Sequence, residues 1–182
     1  IRQGYQFFAD SRIENLRRIK QMSSDCQTTL LRLPGLHEVT EVVRYADISL
    51  VSEQDTLAAL QREAKKYDRR HKIILMIELG DLREGVCTHQ VLEMGRFILE
   101  QDHIEWLGIG TNLTCYGGVI PTADIMLELT SLKARIESEL NHPLTIVSGG
   151  NSSLLPLLLE HRLPPGINQL RLGESLFFGR ET

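Results

Sequence analysis

The sequence has no apolar run of the roughly 20 residues that a membrane-spanning helix needs, and no charged-then-apolar leader. Its three cysteines are far apart, so they form neither a paired metal-binding motif nor a disulfide framework. Basic residues do not cluster, and 20 Lys+Arg against 24 Asp+Glu leave a net charge of -4. We therefore expect a cytoplasmic protein with no metal site, no membrane and no nucleic-acid partner.

What is present is typical of a globular protein. The chain has 182 residues, of which 42% are hydrophobic and 24% are charged. This length fits one domain or a piece of a larger one. Because the chain starts with Ile1 and not with Met, we expect it to begin inside a longer protein.

Short apolar runs alternate with amphipathic stretches along the whole chain, which indicates βαβ units and a parallel sheet. The seven predicted strands are Tyr5–Ala9, Thr28–Leu33, Asp47–Val51, Lys72–Leu79, Ile104–Ile109, Leu144–Val147 and Ile167–Leu172. The six predicted helices are Ser11–Met22, Leu36–Tyr45, Glu53–Tyr67, His89–Gln101, Thr122–Leu140 and Ser153–Arg162.

Two architectures fit seven such units: an open doubly wound sheet, and a (β/α)8 barrel that lacks one unit. A doubly wound nucleotide-binding domain usually carries a G-x-G-x-x-G turn, which is missing here. Polar, chemically able residues follow most of the predicted strands, as a barrel active site requires. Loops are polar in any α/β protein, so the pattern favours the barrel without excluding the open sheet.

Two glycine-bearing loops could hold a phosphate. Ser148–Ser153 follows an apolar strand and opens a helix, so its main-chain N–H groups and hydroxyls could bind an anion. The same residues also suit an ordinary helix cap. Arg171–Gly179 has Gly173 at a strand end. If one unit is missing at the front, these loops follow barrel strands 7 and 8, where barrels commonly bind phosphate.

The segments Phe8–Leu16, Glu78–Gly85, Gly108–Gly117, Ser148–Ser153 and Arg171–Gly179 together resemble the alanine-racemase-like enzymes that use pyridoxal 5'-phosphate (PLP). In particular they resemble the ornithine-racemase-type branch of predicted amino-acid racemases. The resemblance implies a TIM-type (β/α)8 barrel, partial in this chain, with seven strands, six helices and the first strand missing. It also implies that residues 1–182 are the PLP-binding barrel domain, and that a C-terminal β domain lies outside.

The resemblance assigns a cofactor role to residues at three strand ends. The Asn-Ser pair of the phosphate loop falls on Asn151 and Ser152, and the arginine that contacts the pyridine nitrogen falls on Arg171. Asn112 stands where many relatives have a histidine beside the ring. The full set expected to bind PLP is Asn112, Ser148, Gly150, Asn151, Ser152, Arg171, Gly173 and Glu174.

An arginine beside the pyridine nitrogen would favour racemisation over transamination. Because arginine is effectively never deprotonated, Arg171 would donate a hydrogen bond and keep its proton. The alternative is that Arg171 pairs with Glu174 or another carboxylate. On the substrate side the resemblance implies Arg83, with Asp81 nearby. The acids Asp10, Glu78, Asp81 and Glu174 suit the distal ammonium of a basic substrate, or else partners of Arg83 and Arg171.

Racemisation needs two acid/base groups on opposite faces of the substrate. The first in the family is the lysine that forms the Schiff base at the end of barrel strand one, and none of the five lysines here fits that place. The second comes from the partner subunit of a dimer, so we expect a homodimer. Within the chain, Cys115 and Tyr116 are candidates, and a packing role for Cys115 is the alternative. The six histidines have no metal-ligand spacing and are interpreted as surface or capping residues.

The leading hypothesis is therefore a PLP-dependent amino-acid racemase that interconverts L and D forms by removing and returning the Cα proton. Ornithine is the first substrate expected and alanine the second. One alternative is a PLP-binding homeostasis protein without turnover. Another is a PLP-free barrel that binds a phosphorylated metabolite.

Overall fold

The computed structural model describes residues 4–114 and 118–179. Its six strands form one sheet in which the order of the strands is their order along the chain. Neighbouring strands are parallel, with Phe7 opposite Gln27, Thr29 opposite Ile48, and Gly108 opposite Ile146. The strands are β1 Phe7–Asp10, β2 Gln27–Leu30, β3 Ile48–Val51, β4 His71–Met76, β5 Ile104–Gly110 and β6 Ile146–Ser148.

The helices are α1 Ile13–Met22, α2 Val39–Tyr45, α3 Gln54–Lys66, α4 Val91–Leu99, α5 Ala123–Leu140, α6 Leu155–Leu159 and α7 Glu174–Phe178. Five of them, α1 to α5, connect the strands, as the alternating pattern predicted, and α6 and α7 follow β6. A 3-10 turn over Ser152–Leu154 precedes α6. None of the described helices is both long and apolar enough to span a membrane.

The strand order decides between the two expected architectures. A doubly wound sheet reverses its order at a switch point, whereas a barrel adds each new strand beside the last one. The order β1 to β6 has no reversal, so the fold is a parallel α/β fold with the strand order of a TIM-type barrel. All four residues of β3 are buried, which is typical of a parallel strand that is covered on both faces.

The chain divides into two compact units, and each has its own apolar residues. One unit comprises Ile1–Ile74 and Phe97–Trp106, and its fully buried side chains include Leu16, Leu50 and Leu57. The other comprises Leu75–Arg96 and Leu107–Thr182. In this second unit Leu113, Met126, Leu154 and Leu157 form one buried cluster.

The expected seventh strand, Ile167–Leu172, is wrong: the segment makes one bridge, Ser148 to Gln169, and no ladder. Main-chain bonds still join this segment to the end of β6 and the loop after it: Asn168 N donates to Val147 O at 3.1 Å, and Arg171 N donates to Gly150 O at 2.8 Å. The Asn168 side chain adds two further bonds. Its Oδ1 accepts from Val147 N at 2.8 Å, and its Nδ2 donates to Thr145 O at 2.7 Å. The count of six helices is also wrong, because α7 was not expected and α6 is shorter than Ser153–Arg162.

One histidine does not lie at the surface as expected. His71 is fully buried at the start of β4, and its Nε2 lies 2.8 Å from Ser49 Oγ. The pKa of His71 is lowered from 6.5 to about 4, mainly by burial and then by the charge of Arg69, while the charge of Asp47 opposes this. His71 is therefore a neutral core residue at pH 7.

Candidate active site

The second unit brings together polar residues that are far apart in the sequence. They lie in the loop after β4, in the loop after β5, in the loop after β6 and in the segment that leads into α7. The expected site residues among them are Asp81, Arg83, Asn112, Ser148, Gly150, Asn151, Ser152, Arg171, Gly173 and Glu174. The three loops and the segment before α7 all belong to this unit, so the contacts between their residues lie within it.

Arg171 lies at the centre of this arrangement. Its Nη2 donates to Thr111 O at 2.7 Å and to Asn112 Oδ1 at 2.5 Å, and its Nη1 donates to Ser148 Oγ. A guanidinium has five N–H groups. The Nε–H and one Nη1–H of Arg171 therefore have no acceptor among the described residues. No carboxylate of the described chain lies within ion-pair distance of Arg171, so the alternative pairing with Glu174 is absent there.

Burial and two charges set the protonation of Arg171. Burial lowers the pKa of Arg171 to about 10, the charge of Glu84 raises it, and the charge of Arg83 lowers it. The side chain stays charged at neutral pH, as the sequence argument assumed. Gly110 leaves the space for it, because a Cβ at this position would lie 3.4 Å from Arg171 Nη1 and 3.0 Å from Ser148 Cβ.

A carboxylate that the sequence argument gave no role is connected to Arg171 through Asn112. Asn112 Nδ2 donates to Glu84 Oε1, while Asn112 Oδ1 accepts from Arg171. Glu84 also accepts from Arg83 Nη2 at 2.6 Å. Its place directly after Arg83 in the G-D-L-R-E-G string was visible in the sequence, but its contact with Asn112 depends on how two loops meet.

The loop after β6 is more highly organised than a flexible turn. Asn151 Oδ1 accepts from Ser153 N at 3.1 Å and thereby caps the 3-10 turn, and Asn151 Nδ2 donates to Thr114 Oγ1 at 2.9 Å. The capping alternative is therefore present in the structure for this side chain. The main-chain N–H groups of Gly150, Asn151 and Ser152 have no acceptor among the described residues.

Ser152 joins the two glycine-bearing loops. Its Oγ accepts from Ser175 N at 3.2 Å and from Gly173 N at 3.4 Å, and lies 3.1 Å from Ser175 Oγ. A Cβ at Gly173 would have no atom within 4 Å, so the space in front of this residue is open. The two loops together present main-chain N–H donors and hydroxyls to one place, which is the donor set that a phosphate group requires.

The expected acids are mostly used locally. Asp81 is buried, and its Oδ2 lies 3.9 Å from Arg83 Nε. Glu78 accepts from Gly80 N at 2.5 Å. In the first unit, Asp10 accepts from Arg12 N at 2.8 Å and from Asn15 Nδ2 at 2.9 Å. Glu174 is an exposed residue at the start of α7. The observed contacts therefore agree with a partner role for Asp81 beside Arg83.

The two acid/base candidates, Cys115 and Tyr116, lie outside the described residues. None of the five lysines lies at the carboxyl end of a strand. Lys72 is near the start of β4, and the others lie in helices: Lys20, Lys65, Lys66 and Lys133.

Three comparisons with known proteins bear on this site. The chain matches the family model "Alanine racemase, N-terminal domain" over residues 1–181. It is 48% identical to ornithine racemase of Acetoanaerobium sticklandii over 97% of the chain and 50% of that protein. It is 38% identical to lysine racemase of Thermotoga maritima over 98% of the chain and 49% of that protein. The chain thus spans about half the length of these curated relatives.

Solved structures support the fold. PipY of Synechococcus elongatus PCC7942 with PLP bound superposes with a TM-score of 0.79 at 19% identity, over 96% of this chain and 82% of that chain. Alanine racemase of Clostridium difficile 630 in complex with cycloserine superposes with a TM-score of 0.76 at 16% identity, over 97% of this chain and 48% of that chain. At such identities the likeness concerns the fold alone.

Proposed function

The chain belongs to the alanine racemase N-terminal domain family, and from this premise we propose that it is the PLP-binding part of a racemase for free basic amino acids. The 48% identity to an ornithine racemase over 97% of the chain is the observation that carries the proposal. Ornithine is the first substrate proposed. Lysine, which the sequence argument did not consider, comes next because of the 38% identity to a lysine racemase, and alanine follows.

The described residues fit the cofactor at both of its ends. Arg171 has two N–H groups without an acceptor among the described residues, one of which could donate to the pyridine nitrogen, and Asn112 lies beside the guanidinium. Ser152 and the main-chain N–H groups of Gly150 and Asn151 suit the phosphate, with Gly173 and Glu174 across from them. The Ser148 hydroxyl accepts a hydrogen bond from Arg171 Nη1 and so helps to hold the guanidinium in place.

When bound, PLP acts as an electron sink that makes the α-proton of an attached amino acid acidic. Arg171 keeps its own proton at neutral pH, because its pKa is about 10. It would therefore donate a hydrogen bond to the pyridine nitrogen and keep its proton, which would favour racemisation over transamination. Arg83 and Asp81 are proposed to face the substrate, and Cys115 and Tyr116 remain candidate acid/base groups.

The finer features of the whole protein belong to the same proposal. They are a complete (β/α)8 barrel whose first strand lies outside this chain, residues 1–182 as its PLP-binding domain, a C-terminal β domain, a homodimer and a cytoplasmic location. The support is the family membership together with the half coverage of the racemase relatives. The homodimer is proposed because the family resemblance implies that the second acid/base group comes from a partner subunit.

The test is racemisation by the purified full-length protein. With PLP added, L-ornithine should become a mixture of both enantiomers, faster than L-lysine and much faster than L-alanine, as measured by chiral chromatography. The same protein stripped of PLP is the control. A protein that holds PLP but turns over none of the three would support the homeostasis alternative. A protein that takes up no PLP would support a barrel that binds another phosphorylated metabolite.

A further inference from the structure

A continuous hydrogen-bond chain connects a carboxylate to Arg171. It begins at Arg83, whose Nη2 donates to Glu84 at 2.6 Å. It continues through the Asn112 side chain, whose Nδ2 donates to Glu84 and whose Oδ1 accepts from Arg171. Both ends of the Asn112 amide are thus held by charged groups of opposite sign. An acceptor at one end and a cation at the other allow only one orientation of the amide.

The burial of Glu84 allows its charge to act on Arg171 through Asn112. Its side chain is only 9% exposed, whereas that of Arg83 is 34% exposed. A charge away from water acts more strongly on its neighbours than one at the surface. Bonds between charged groups are also shorter and stronger than bonds between neutral ones. The Glu84 carboxylate therefore polarises the amide towards Arg171 and makes Asn112 Oδ1 a better acceptor.

The bonds at Arg171 then determine which donors are left. Both Nη2 hydrogens are used, by Thr111 O and Asn112 Oδ1, and one Nη1 hydrogen is used by Ser148. If Asn112 turned away, the guanidinium would lose its only side-chain acceptor on Nη2 among the described residues. Rotation about the last side-chain bonds would then move the Nε–H and the second Nη1–H together.

We propose that Glu84 is a positioning residue that acts through Asn112 to hold the Arg171 guanidinium, and with it the two N–H groups left for the pyridine nitrogen. The inference rests on the proposed function for its catalytic meaning, but the hydrogen-bond chain exists without the cofactor. Glu84 itself touches neither cofactor nor substrate in this assignment. A merely structural Glu84 would stabilise the loop after β4 through Arg83 and leave Arg171 unaffected.

The first test uses the full-length protein without PLP. Arginine is labelled with 15N, and the exchange of the Arg171 Nε–H with water is followed by NMR, with the signal assigned from its loss in Arg171→Lys. Asn112→Ala, which removes the side-chain acceptor on Nη2, should speed the exchange about tenfold, because the guanidinium is then held less firmly. Glu84→Gln, which removes the charge and keeps the shape, should speed the exchange in the same direction by a smaller factor, because the bond from Arg171 to Asn112 is weakened and not lost. Glu139→Gln, which removes an exposed carboxylate that pairs with Arg135 at 2.9 Å on α5, should leave it unchanged.

The second test uses the protein loaded with PLP during turnover of ornithine. Glu84→Gln and Asn112→Ala should raise the amount of pyridoxamine phosphate formed per racemisation event, in the direction of Arg171→Gln. Circular dichroism shows whether both variants are folded. If they are folded and neither the exchange of the Arg171 Nε–H nor this ratio changes, the positioning role is wrong. If Glu84→Gln does not fold, Asn112→Ala decides alone. If the exchange is faster in both variants but the wild-type protein racemises no amino acid, the positioning of Arg171 is supported and the proposed function is contradicted.

Discussion

His71 is a titratable residue buried inside the first unit, and its surroundings make the free energy of unfolding depend on pH. Its Nε2 shares a hydrogen with Ser49 Oγ, and its Nδ1 has no partner among the described residues. Burial is the main cause that lowers the pKa of His71 to about 4, with the charge of Arg69 next and that of Asp47 opposing. The unfolded chain binds a proton at this residue near pH 6.5, so unfolding takes up a proton between these two values.

We therefore expect the free energy of unfolding to be highest above pH 6.5 and to fall as the pH decreases from 6.5 towards 4. The contribution of His71 amounts to about 2 kcal/mol between pH 7.5 and pH 5. Urea unfolding at these two pH values should show this loss in the wild type and a smaller one in His71→Gln. His89→Gln, at an exposed histidine, is the matched control and should keep the wild-type dependence. An equal dependence in His71→Gln would mean that other groups cause it.

The sequence alone does not indicate whether a single histidine before an apolar run is buried, because histidine can equally well begin an exposed strand. Its burial depends on Ser49, which lies 22 residues earlier on the neighbouring strand. Glu84 was missed for a similar reason. The site residues that could be predicted are those whose strings resemble a family, such as Asn151, Ser152 and Arg171. Their partners, such as Thr111 and Thr114, depend on loop contacts that no local pattern encodes.

At the scale of elements, apolar runs predicted the six observed strands to within a few residues. For β3 and β4 the reason is burial on both faces, which requires such runs. The expected seventh strand has the same apolar pattern, yet only part of its pairing with the β6 segment is between main-chain groups, because Val147 N and Thr145 O bond to the Asn168 side chain. Helix α7 has only five residues, and its Phe177 and Phe178 are exposed. It therefore has no buried face and no periodicity that could have indicated it.

The 3-10 turn and α7 meet at Ser152, so the two loops should act as one unit in binding phosphate. We expect Ser152→Ala and Asn151→Ala each to weaken PLP binding by about tenfold or more, since each removes or displaces donors to a charged group. Fluorescence titration of the stripped full-length protein with PLP would measure this. Urea unfolding of the same variants without PLP separates the effects: loss of the Asn151 cap costs about 1 kcal/mol.

A useful control for these variants is Ser131→Ala, which removes an exposed hydroxyl that donates to Leu127 O in the middle of α5. It should change neither PLP affinity nor, by more than a few tenths of a kcal/mol, stability. If the double variant Asn151→Ala and Ser152→Ala binds PLP as tightly as the wild type, the loop is a helix cap and no phosphate site.

At the scale of the whole molecule, the alternation of strands and helices predicted a parallel sheet but left two strand orders open, and the observed order decides between them. The division into two units could not be predicted, since no linker or change of composition marks residue 75, 97 or 107. The proposed site lies in the unit formed by Leu75–Arg96 and Leu107–Thr182, and this unit contains a single lysine, Lys133.

Four of the five lysines lie in helices and one lies near the start of a strand, and three of the five pair with carboxylates. Lys133 pairs with Glu137 at 2.7 Å in the middle of α5. Lys20 pairs with Asp47 at 2.6 Å, and Lys66 pairs with Glu63 at 2.6 Å. Lys65 lies beside Lys66 in the last turn of α3. Lys72 is the second residue of β4, so about 13 Å of strand separate it from Met76 at the carboxyl end.

The full-length protein loaded with PLP should therefore be yellow, and borohydride should attach the cofactor permanently to a lysine that is none of these five. Digestion and mass spectrometry would identify the labelled peptide, which should end an apolar strand, because a lysine must reach the carboxyl-end loops that carry Arg171 and Ser152. Replacing that lysine by alanine should abolish the label and the racemisation while PLP still binds through the phosphate loops. As a matched control, Lys72→Ala should keep the label at its wild-type level. A label on Lys133 or Lys72 would contradict the assignment of the site to the strand ends, since neither side chain lies there.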